Sequence, residues 1–469
     1  MRMLLVAAAA SLLLISAPPL TSAASFRLPK IGSYVSPLCS QQIGKTLKDL
    51  ARKHGDDVID VVQNFLPAPT GEGGGDDRGR RDNAPAETAG LYYTKLAVGN
   101  PAQTISGMIL DISTQFVWMR CCPGCQASPS ESYFVPRDYR ERYWLPCNTN
   151  DCWNFVPQSC DQQNNLCWYR IDYSSTTWTA GWVAVETFTF GTTAVQDMLY
   201  GCSNKWPAGD YSGVIGLGRG NLSLVSQLQL SNFSYLLAPY GDSGSQVQLG
   251  GVAVPQTGRI RSTPLYASAK YRDLYYVQLT GIHVDGEELD GIPPGTFDFQ
   301  IDGSGGVFLS TTVPVTYLLS DAYKVVREAF ASRISQTSLE SGSLDQLCYT
   351  AESMDGVTYP RLTLVFQGND ATMELRAQNY FLKFNDGERG LVCLAILPSQ
   401  GVSVLGSLLQ TWTTMIYDLD GQQLTFVTAE DASPSSPSSP SQAPLGIPEA
   451  QAASLPMVMA AAMWVLLLL

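Results

Sequence analysis

Two short stretches of this 469-residue chain carry the strongest signal of its architecture: MILDIST at residues 108–114 and VFLSTT at residues 307–312. Each is an apolar run that ends in a small polar cluster, and each follows an LYY tripeptide, at 91–93 and at 274–276. Two copies of one β-unit, with their polar loops facing each other, predict a bilobal protein with a cleft between the lobes, where ligands usually bind. Each copy is completed by two apolar residues and a glycine, at 214–216 and 404–406.

Short alternating or β-branched runs, separated by Gly, Pro and Asn, continue from Leu91 to about Val427. Only two helices are predicted in this region, at residues 224–230 and 321–333, the second with apolar residues on one face. The predicted fold class is therefore all-β, mainly strands with a few short helices.

Apolar residues make up 45% of the chain and charged residues 15%, which favours a large packed core. The net charge of -13 argues against nucleic acid and against an anionic membrane surface as partners, although simple solubility explains it equally well. The two histidines, His54 and His283, are too few for a histidine-rich metal site and argue against Ser-His-Asp or Cys-His catalysis. We expect no metal and no cofactor.

The amino-terminal region predicts secretion and processing. An apolar run follows Arg2 and ends in small residues, which predicts a signal peptide at residues 1–24; a membrane-spanning helix is the alternative. Residues 25–88 are interpreted as a pro-segment and linker, with Arg80-Arg81 as a possible processing site.

The carboxyl-terminal tail, residues 429–469, joins a Ser/Pro-rich stretch to a terminal apolar run. This pattern predicts a GPI-attachment signal with Ser441 as a loose anchor site; a tail-anchored helix is the alternative. The expected location is extracellular, at the plasma membrane or cell wall, with membrane contact only through the lipid anchor.

The cysteines fit a secreted, disulfide-bonded protein. Of the eleven, Cys39 falls in the expected pro-segment, and the pairing of the other ten is left open by the sequence. Their crowding between residues 121 and 167 favours a stapled insertion over a redox site. Asn221 and Asn232 lie in sequons and are candidate glycosylation sites. The ten cysteines are Cys121, Cys122, Cys125, Cys147, Cys152, Cys160, Cys167, Cys202, Cys348 and Cys393.

Several stretches resemble the plant nepenthesin-type branch of the pepsin-like aspartic peptidases. The resemblance implies the bilobal pepsin-like acid protease fold, two six-stranded-type β-barrel lobes with an interlobe cleft. The N-terminal lobe, with the Cys-rich insertion, is expected at 89–268 and the C-terminal lobe at 269–428. The stretches are 91–100 (LYYTKLAVGN), 213–228 (GVIGLGRGNLSLVSQL), 393–396 (CLAI), 403–410 (SVLGSLLQ) and 417–419 (YDL).

In that family two carboxylates, one from each lobe, share a proton and activate a water molecule. By the resemblance, Asp111 stands at the first catalytic position and Ser310 at the second, with the register anchored by residues 316–318. A serine hydroxyl does not ionise at useful pH, so we expect impaired hydrolysis. Asp302 is the alternative carboxylate, but it precedes Ser310 by eight residues and is followed by Gly-Ser, which does not match the family pattern.

The residues beside the two catalytic positions also depart from the family pattern. Ile112 replaces a hydroxyl residue that ties the two loops together, and Ser113 replaces a glycine. Thr114 is expected to hydrogen-bond the Asp111 carboxylate. Thr311 follows Ser310 and is expected at the cleft.

The resemblance places two aromatic residues near the first loop. Trp118 matches the family tryptophan beside that loop, and Tyr173 stands where the family has its flap tyrosine. The flap tip that follows lacks glycine, and an ordinary strand tyrosine is the alternative interpretation of Tyr173.

Three functional hypotheses follow. The first is a pseudo-peptidase, expected to be a monomer, that binds a peptide or protein in its cleft. The second is an active or weak acid endopeptidase. The third is a xylanase-inhibitor-like or structural cell-surface glycoprotein, an interpretation that rests on analogy of fold alone.

Overall fold

The computed structural model describes residues 24–27 (backbone only), 91–123, 132–136, 144–153, 160–172, 178–206, 211–238, 245–254, 258–300, 305–339, 346–385 and 390–428. The predicted signal peptide before residue 24, nearly all of the pro-segment, the tail, Cys125, Tyr173 and Asp302 lie outside the described residues.

Strands dominate the described chain. They are β1 (Ala24–Arg27), β2 (Tyr93–Val98), β3 (Gln103–Asp111), β4 (Trp118–Arg120), β5 (Cys160–Asp161), β6 (Leu166–Asp172), β7 (Trp178–Phe190), β8 (Thr193–Lys205), β9 (Gly213–Gly216), β10 (Asn232–Leu236), β11 (Gln246–Leu249), β12 (Arg259–Pro264), β13 (Tyr276–Val277), β14 (Leu279–Val284), β15 (Glu287–Glu288), β16 (Val307–Leu309), β17 (Thr316–Leu319), β18 (Cys348–Thr350), β19 (Leu362–Phe366), β20 (Thr372–Leu375), β21 (Phe381–Asn385), β22 (Gly390–Leu394), β23 (Ile396–Ser399), β24 (Ser403–Leu405), β25 (Thr413–Asp418) and β26 (Gln423–Thr428).

The internal repeat predicted from the sequence is present as two similar strand arrangements. In the first half the order is β2-β3-β9-β4-β8, and in the second half it is β13-β16-β24-β17-β23. In both halves the second strand is parallel to the third, and the fourth is antiparallel to the third and parallel to the fifth. The first sheet is extended by β7, β6 and β5, whereas the second half adds separate sheets of four and three strands.

The central strands of both units are apolar and buried on both faces, as parallel strands require. In each unit a glycine lets the backbone of a neighbouring segment pack closely against it. A Cβ on Gly216 would lie 2.6 Å from the Phe116 backbone nitrogen, and one on Gly406 would lie 2.3 Å from the Val315 carbonyl oxygen. Asp111 ends β3 and Ser310 directly follows β16, and the hydrogen bond from the Thr311 hydroxyl to the Leu110 carbonyl joins the two loops.

A six-stranded sheet is built from both halves of the chain, in the order β1-β11-β10-β25-β26-β12. Its aromatic residues pack closely, with Phe233 stacked on Tyr417 at 4.6 Å between ring centroids. The hydroxyl groups of Tyr235 and Tyr417 lie 3.0 Å apart. Because strands from the end of the chain pair with strands from its first half, the sheet ties the two halves together.

Four helices lie within the described residues: α1 (Asn150–Trp153), α2 (Leu224–Gln227), α3 (Ser320–Arg333) and α4 (Ala377–Tyr380). The long predicted helix is present as α3, which buries Tyr323, Val326 and Phe330 on one face. The other predicted helix, 224–230, is shorter than expected because Gln229 adopts a positive φ of 51°. No helix in the described part of the chain is long and apolar enough to cross a membrane.

Disulfides staple the first half, as the crowded cysteines predicted. The bonds are Cys121–Cys202, Cys147–Cys160, Cys152–Cys167 and, in the second half, Cys348–Cys393. Cys122 is also disulfide-bonded. Cys121–Cys202 links the end of β4 to β8, next to the parallel pair that those strands form.

Candidate active site

Asp111 ends β3 with its side chain almost fully enclosed, at 6% exposure. Its Oδ1 accepts two hydrogen bonds from Ser113, one from the backbone N–H at 2.8 Å and one from the hydroxyl at 2.6 Å. Burial raises the pKa of the carboxyl, and the two Ser113 hydrogen bonds partly oppose that shift by stabilising the ionised form. Asp111 is therefore a buried acid that holds its proton more tightly than an exposed aspartate does.

The hydroxyl that bonds this carboxylate belongs to Ser113, not to Thr114 as the sequence had led us to expect. Thr114 is half-buried, and its backbone carbonyl accepts a hydrogen bond from the Gly218 N–H at 2.8 Å. The physical reason is local geometry: a serine two residues after an aspartate can turn its hydroxyl back onto the carboxylate within one tight turn. In the sequence, the serine at the family's glycine position was the feature that could have indicated this hydrogen bond.

Ser310 stands at the equivalent point of the second loop and is fully buried. Its Oγ accepts hydrogen bonds from the backbone N–H groups of Thr312 at 3.3 Å and Val313 at 3.2 Å. The Thr312 hydroxyl lies 3.3 Å from the same oxygen. The serine oxygen thus accepts from the loop's backbone, as a carboxylate there would, but it brings no negative charge at ordinary pH.

Thr311 ties the second loop to the first. Its hydroxyl donates to the Leu110 carbonyl at 2.7 Å and accepts from the Ile112 N–H at 3.3 Å. The side chain is fully buried, so Thr311 serves the contact between loops rather than the cleft surface, where we had expected it. Ile112 has no hydroxyl with which to return the contact.

The buried side-chain amide of Gln410 supports the Ser310 loop. The Gln410 Nε2 group donates to the carbonyls of Ser310 at 2.9 Å, Leu405 at 3.0 Å and Gly406 at 3.2 Å. Its Oε1 accepts from the Tyr235 hydroxyl, which belongs to the six-stranded sheet. Sequence reasoning missed Gln410, since nothing in its spacing indicates these contacts.

Trp118, which the resemblance places beside the first loop, lies at the start of β4 and is fully buried. Its ring packs edge-on against Tyr211 with 6.0 Å between centroids. The Arg120 guanidinium lies 5.8 Å from the centroid of the same tyrosine ring. Tyr173, the expected flap tyrosine, lies outside the described residues.

Asp273 is a second acidic side chain near Asp111 that sequence reasoning missed. Its carboxylate accepts a hydrogen bond from the Gln115 backbone N–H, and its carbonyl accepts one from the Arg219 N–H at 2.9 Å. Burial and then the charge of Asp111 raise the pKa of Asp273 to about 6, against the lowering effect of the Gln115 bond. No hydrogen bond joins Asp273 to Asp111 among the described residues, so they do not form a proton-sharing dyad. One feature of the sequence could have drawn attention to Asp273: it directly precedes the second LYY tripeptide, whereas Gly90 precedes the first.

The two sequon asparagines differ in accessibility. Asn221 is exposed at the turn before α2. Asn232 is half-buried in β10, and its Oδ1 accepts a hydrogen bond from the Val252 N–H at 3.0 Å. Asn221 is therefore the more accessible glycosylation candidate in the folded protein.

Within the described residues, no group of three or more His, Cys, Asp or Glu side chains is arranged to hold a metal ion.

Two family models match the chain, one described as xylanase inhibitor N-terminal at residues 92–251 and one as xylanase inhibitor C-terminal at residues 274–428. The chain is 34% identical over 352 residues to aspartic proteinase nepenthesin-2 of Nepenthes gracilis, which covers 73% of this chain and 78% of that protein. It is 31% identical over 354 residues to aspartyl protease family protein 2 of Arabidopsis thaliana, which covers 73% of this chain and 71% of that protein.

Solved structures share the fold. The crystal structure of edgp matches with a TM-score of 0.58 and 20% identity, covering 72% of this chain and 92% of that one. Basic 7S globulin from soybean matches with a TM-score of 0.55 and 18% identity, covering 72% and 92%. At such low identity these likenesses establish the bilobal pepsin-like fold alone. With the matches at the level of sequence, the chain belongs to the plant nepenthesin-type branch of the pepsin-like aspartic peptidase family.

Proposed function

We propose that this chain is a secreted, monomeric member of its family that binds a peptide or protein in the interlobe cleft and is impaired in hydrolysis. The observation that carries the proposal is Ser310: its hydroxyl takes the backbone N–H bonds of the second loop, yet it supplies no carboxylate. An aspartic mechanism needs one ionised and one protonated group at the same time. Asp111 alone cannot fill both roles, and removing one member of a coupled catalytic pair removes most of the catalysis.

The test is a peptide-cleavage assay at acid pH on the purified, processed protein. We expect wild-type turnover roughly 1,000-fold below that of family members with both aspartates. Ser310→Asp, alone and combined with Ser113→Gly and Thr312→Gly, should raise turnover by roughly 100-fold or more if the rest of the site is intact. The double variant Asp111→Ala with Ser310→Asp is the matched control and should be inactive.

The competing interpretation is an active acid endopeptidase. It predicts wild-type cleavage at rates typical of its relatives, blocked by a statine-type transition-state mimic and lost in Asp111→Ala. That result would overturn the proposal. Binding without cleavage would be measured directly, by titrating fluorescent peptides into the Asp111→Ala protein.

A second candidate function is the blocking of a partner protein, supported by family models whose descriptions name xylanase inhibitors. The test measures the activity of purified xylanases with and without the chain. Inhibition that persists in Asp111→Ala would support this function, and the absence of inhibition would leave the cleft-binding proposal in place. If the chain is instead a structural cell-surface glycoprotein, we expect neither xylanase inhibition nor peptide binding.

Secretion and lipid anchoring belong to the same proposal. They are supported by the signal-like start, the GPI-like tail and the cysteines that pair in disulfides. Expression in plant cells should place the protein at the cell surface, and a phosphatidylinositol-specific phospholipase should release it. Retention on the membrane after that treatment would instead favour a tail-anchored helix.

A further inference from the structure

Three tyrosines from both halves of the chain, Tyr235, Tyr275 and Tyr417, form one buried cluster, the tyrosine cluster. Each side chain is at most 1% exposed. Tyr235 and Tyr417 belong to β10 and β25 of the six-stranded sheet, and Tyr275 directly precedes β13. The rings of Tyr275 and Tyr417 pack edge-on with 4.8 Å between centroids, and those of Tyr235 and Tyr417 lie 5.8 Å apart. Tyr417 therefore packs against both of the others.

One arm of the tyrosine cluster reaches the Ser310 loop through Gln410. The Tyr235 hydroxyl donates to Gln410 Oε1, and Gln410 Nε2 donates to the Ser310 carbonyl at 2.9 Å. Since the single hydroxyl proton of Tyr235 is used there, Tyr417 is the donor in the 3.0 Å contact between the two hydroxyls. The bonds thus run in one direction from Tyr417 to Ser310, an arrangement in which each bond polarises and strengthens the next.

The other arm reaches the Asp111 loop through Leu217. The Tyr275 hydroxyl donates to the Leu217 carbonyl at 2.8 Å, and the Leu217 N–H donates to the Asp111 carbonyl at 2.7 Å. Leu217 directly follows β9, the strand parallel to β3, so these bonds hold the chain at the point where β3 ends. The tyrosine cluster is therefore bonded to the backbone of each loop through one intermediate residue.

The three hydroxyls supply bonds rather than packing. Burial raises the pKa of each one well above its ordinary value, so all three stay protonated at acid and neutral pH. A phenylalanine would fill each position without the cost of desolvating a hydroxyl. Tyr349 provides the contrast, since it is also fully buried but its hydroxyl has no hydrogen-bond partner among the described residues.

We propose that Tyr235 and Tyr275 are positioning residues that hold the two loops as one unit, through their shared packing on Tyr417. A change in one arm then alters the order of the opposite loop, because the rings of a close-packed core do not move independently. The inference goes beyond the proposed function, since it holds whether the site binds a ligand, cleaves it or does neither. Thr311 joins the loops by a separate, direct route.

The test measures amide hydrogen exchange by mass spectrometry, in peptides that cover residues 108–117 and 307–314. Tyr235→Phe keeps the ring and removes the hydroxyl that bonds Gln410. We expect exchange to accelerate roughly fivefold in the nearer loop, at 307–314, which is the usual effect of one lost hydrogen bond. The inference also requires an acceleration of at least about twofold in the opposite loop, at 108–117.

The interaction between the two arms is measured with a double variant. Tyr275→Phe alone should give the reverse pattern, with the larger acceleration at 108–117. When Tyr235→Phe and Tyr275→Phe are combined, the rates should differ at least about threefold from the product of the single effects. The same three proteins are then made with Thr311→Val, which removes the direct route, and the interaction should persist.

Two buried tyrosines outside the cluster are the matched controls. Tyr380→Phe removes a hydroxyl that bonds the Pro360 carbonyl at 2.6 Å, and Tyr349→Phe removes the hydroxyl that has no partner among the described residues. Neither should change exchange in the two loops. If Tyr380→Phe accelerates both loops as much as Tyr235→Phe does, the effect is a general loss of stability and the inference is wrong.

Two further outcomes would overturn the inference. Acceleration confined to the nearer loop, with multiplicative rates in the double variant, would mean that the loops have independent supports. Loss of the interaction in the Thr311→Val proteins would assign the coupling to Thr311 instead. If Tyr235→Phe does not fold, Tyr417→Phe, which removes the donor to Tyr235, takes its place. None of these results depends on peptide binding or cleavage, so they leave the proposed function to its own assays.

Discussion

The Asp111 loop and the Ser310 loop occupy equivalent places in the two β-units, yet each retains a different part of the shared chemistry. The first loop keeps the carboxylate and, at Ile112, lacks a hydroxyl to tie it to its partner. The second keeps the tying hydroxyl, Thr311, and lacks the carboxylate. A loop can therefore lose its charge and still hold its shape, provided that another oxygen accepts the backbone N–H groups. Catalysis and architecture are separable at this site.

The largest effect on stability is expected from replacing Gln410, whose side chain supports the Ser310 loop. Gln410→Leu removes a buried amide that serves three carbonyls and the Tyr235 hydroxyl. We expect the free energy of unfolding in urea to fall by about 3–5 kcal/mol, since several buried polar groups lose their partner at once. Gln400→Leu, at an exposed residue, is the control and should change stability by less than about 0.5 kcal/mol. An equal effect of the two substitutions would mean that the buried amide does not support the loop.

The two carboxylates predict a pH dependence of stability. Both have pKa values raised above the unfolded value, so the folded protein binds protons more tightly than the unfolded chain. Their stabilising contribution is complete below about pH 4 and is lost as the pH rises through about 6 for Asp273. For Asp273 this amounts to about 3 kcal/mol at most, and partial exposure to solvent screens it to roughly 2 kcal/mol.

The measurement compares urea unfolding between pH 4 and pH 7 in the parent protein, in Asp273→Asn and in Asp290→Asn. Asp273→Asn should flatten the decline in stability above pH 4, and the Asp290 control, at an exposed carboxylate after β15, should follow the parent. Identical curves for all three would show that Asp273 has an ordinary pKa.

The tie between the loops has a smaller predicted effect. Thr311→Val keeps the shape of the side chain and removes the hydroxyl that bonds Leu110 and Ile112. We expect a loss of about 1–2 kcal/mol in the free energy of unfolding, measured by urea denaturation. Thr312→Val tests the neighbouring hydroxyl, whose only described contact is a longer one to Ser310, and should cost less. The reverse order of the two effects would contradict the assignment of Thr311 as the interlobe tie.

The smallest effect is expected in the first loop. Ser113→Ala removes one of the two hydrogen bonds to Asp111 and leaves the backbone bond in place. The pKa of Asp111 should rise further, because the lost bond favoured the ionised form. The free energy of unfolding should fall by about 1 kcal/mol, as expected for the loss of one hydrogen bond. Carboxyl ¹³C NMR of aspartate-labelled protein, assigned with Asp111→Asn, measures the shift. Thr114→Val should leave the Asp111 titration unaltered; a larger shift there than in Ser113→Ala would reverse the assignment of the hydroxyl.

The sequence alone predicted the all-β class, the repeated unit and the disulfide-rich first half, because alternation, paired motifs and cysteine spacing are local features. The family resemblance assigned Asp111 and Ser310 to corresponding positions, and the structure places one at the end of β3 and the other directly after β16. The contact partners inside the site were harder to predict. The family pattern has a glycine at position 113, so it points to Thr114 as the hydroxyl partner of Asp111, whereas the structure gives that bond to Ser113.

Contacts between distant parts of the chain were decided only by the tertiary structure. Thr311 bonds Leu110 across 201 positions, and Gln410 reaches Ser310 across 100. Asp273 comes near Asp111 because β13 and β3 belong to different units that meet at one seam. No spacing rule covers such distances, since the fold of the intervening chain sets which side chains meet. The missing carboxylate is a property of the sequence, whereas the charge that Asp273 brings beside Asp111 is a property of the folded molecule.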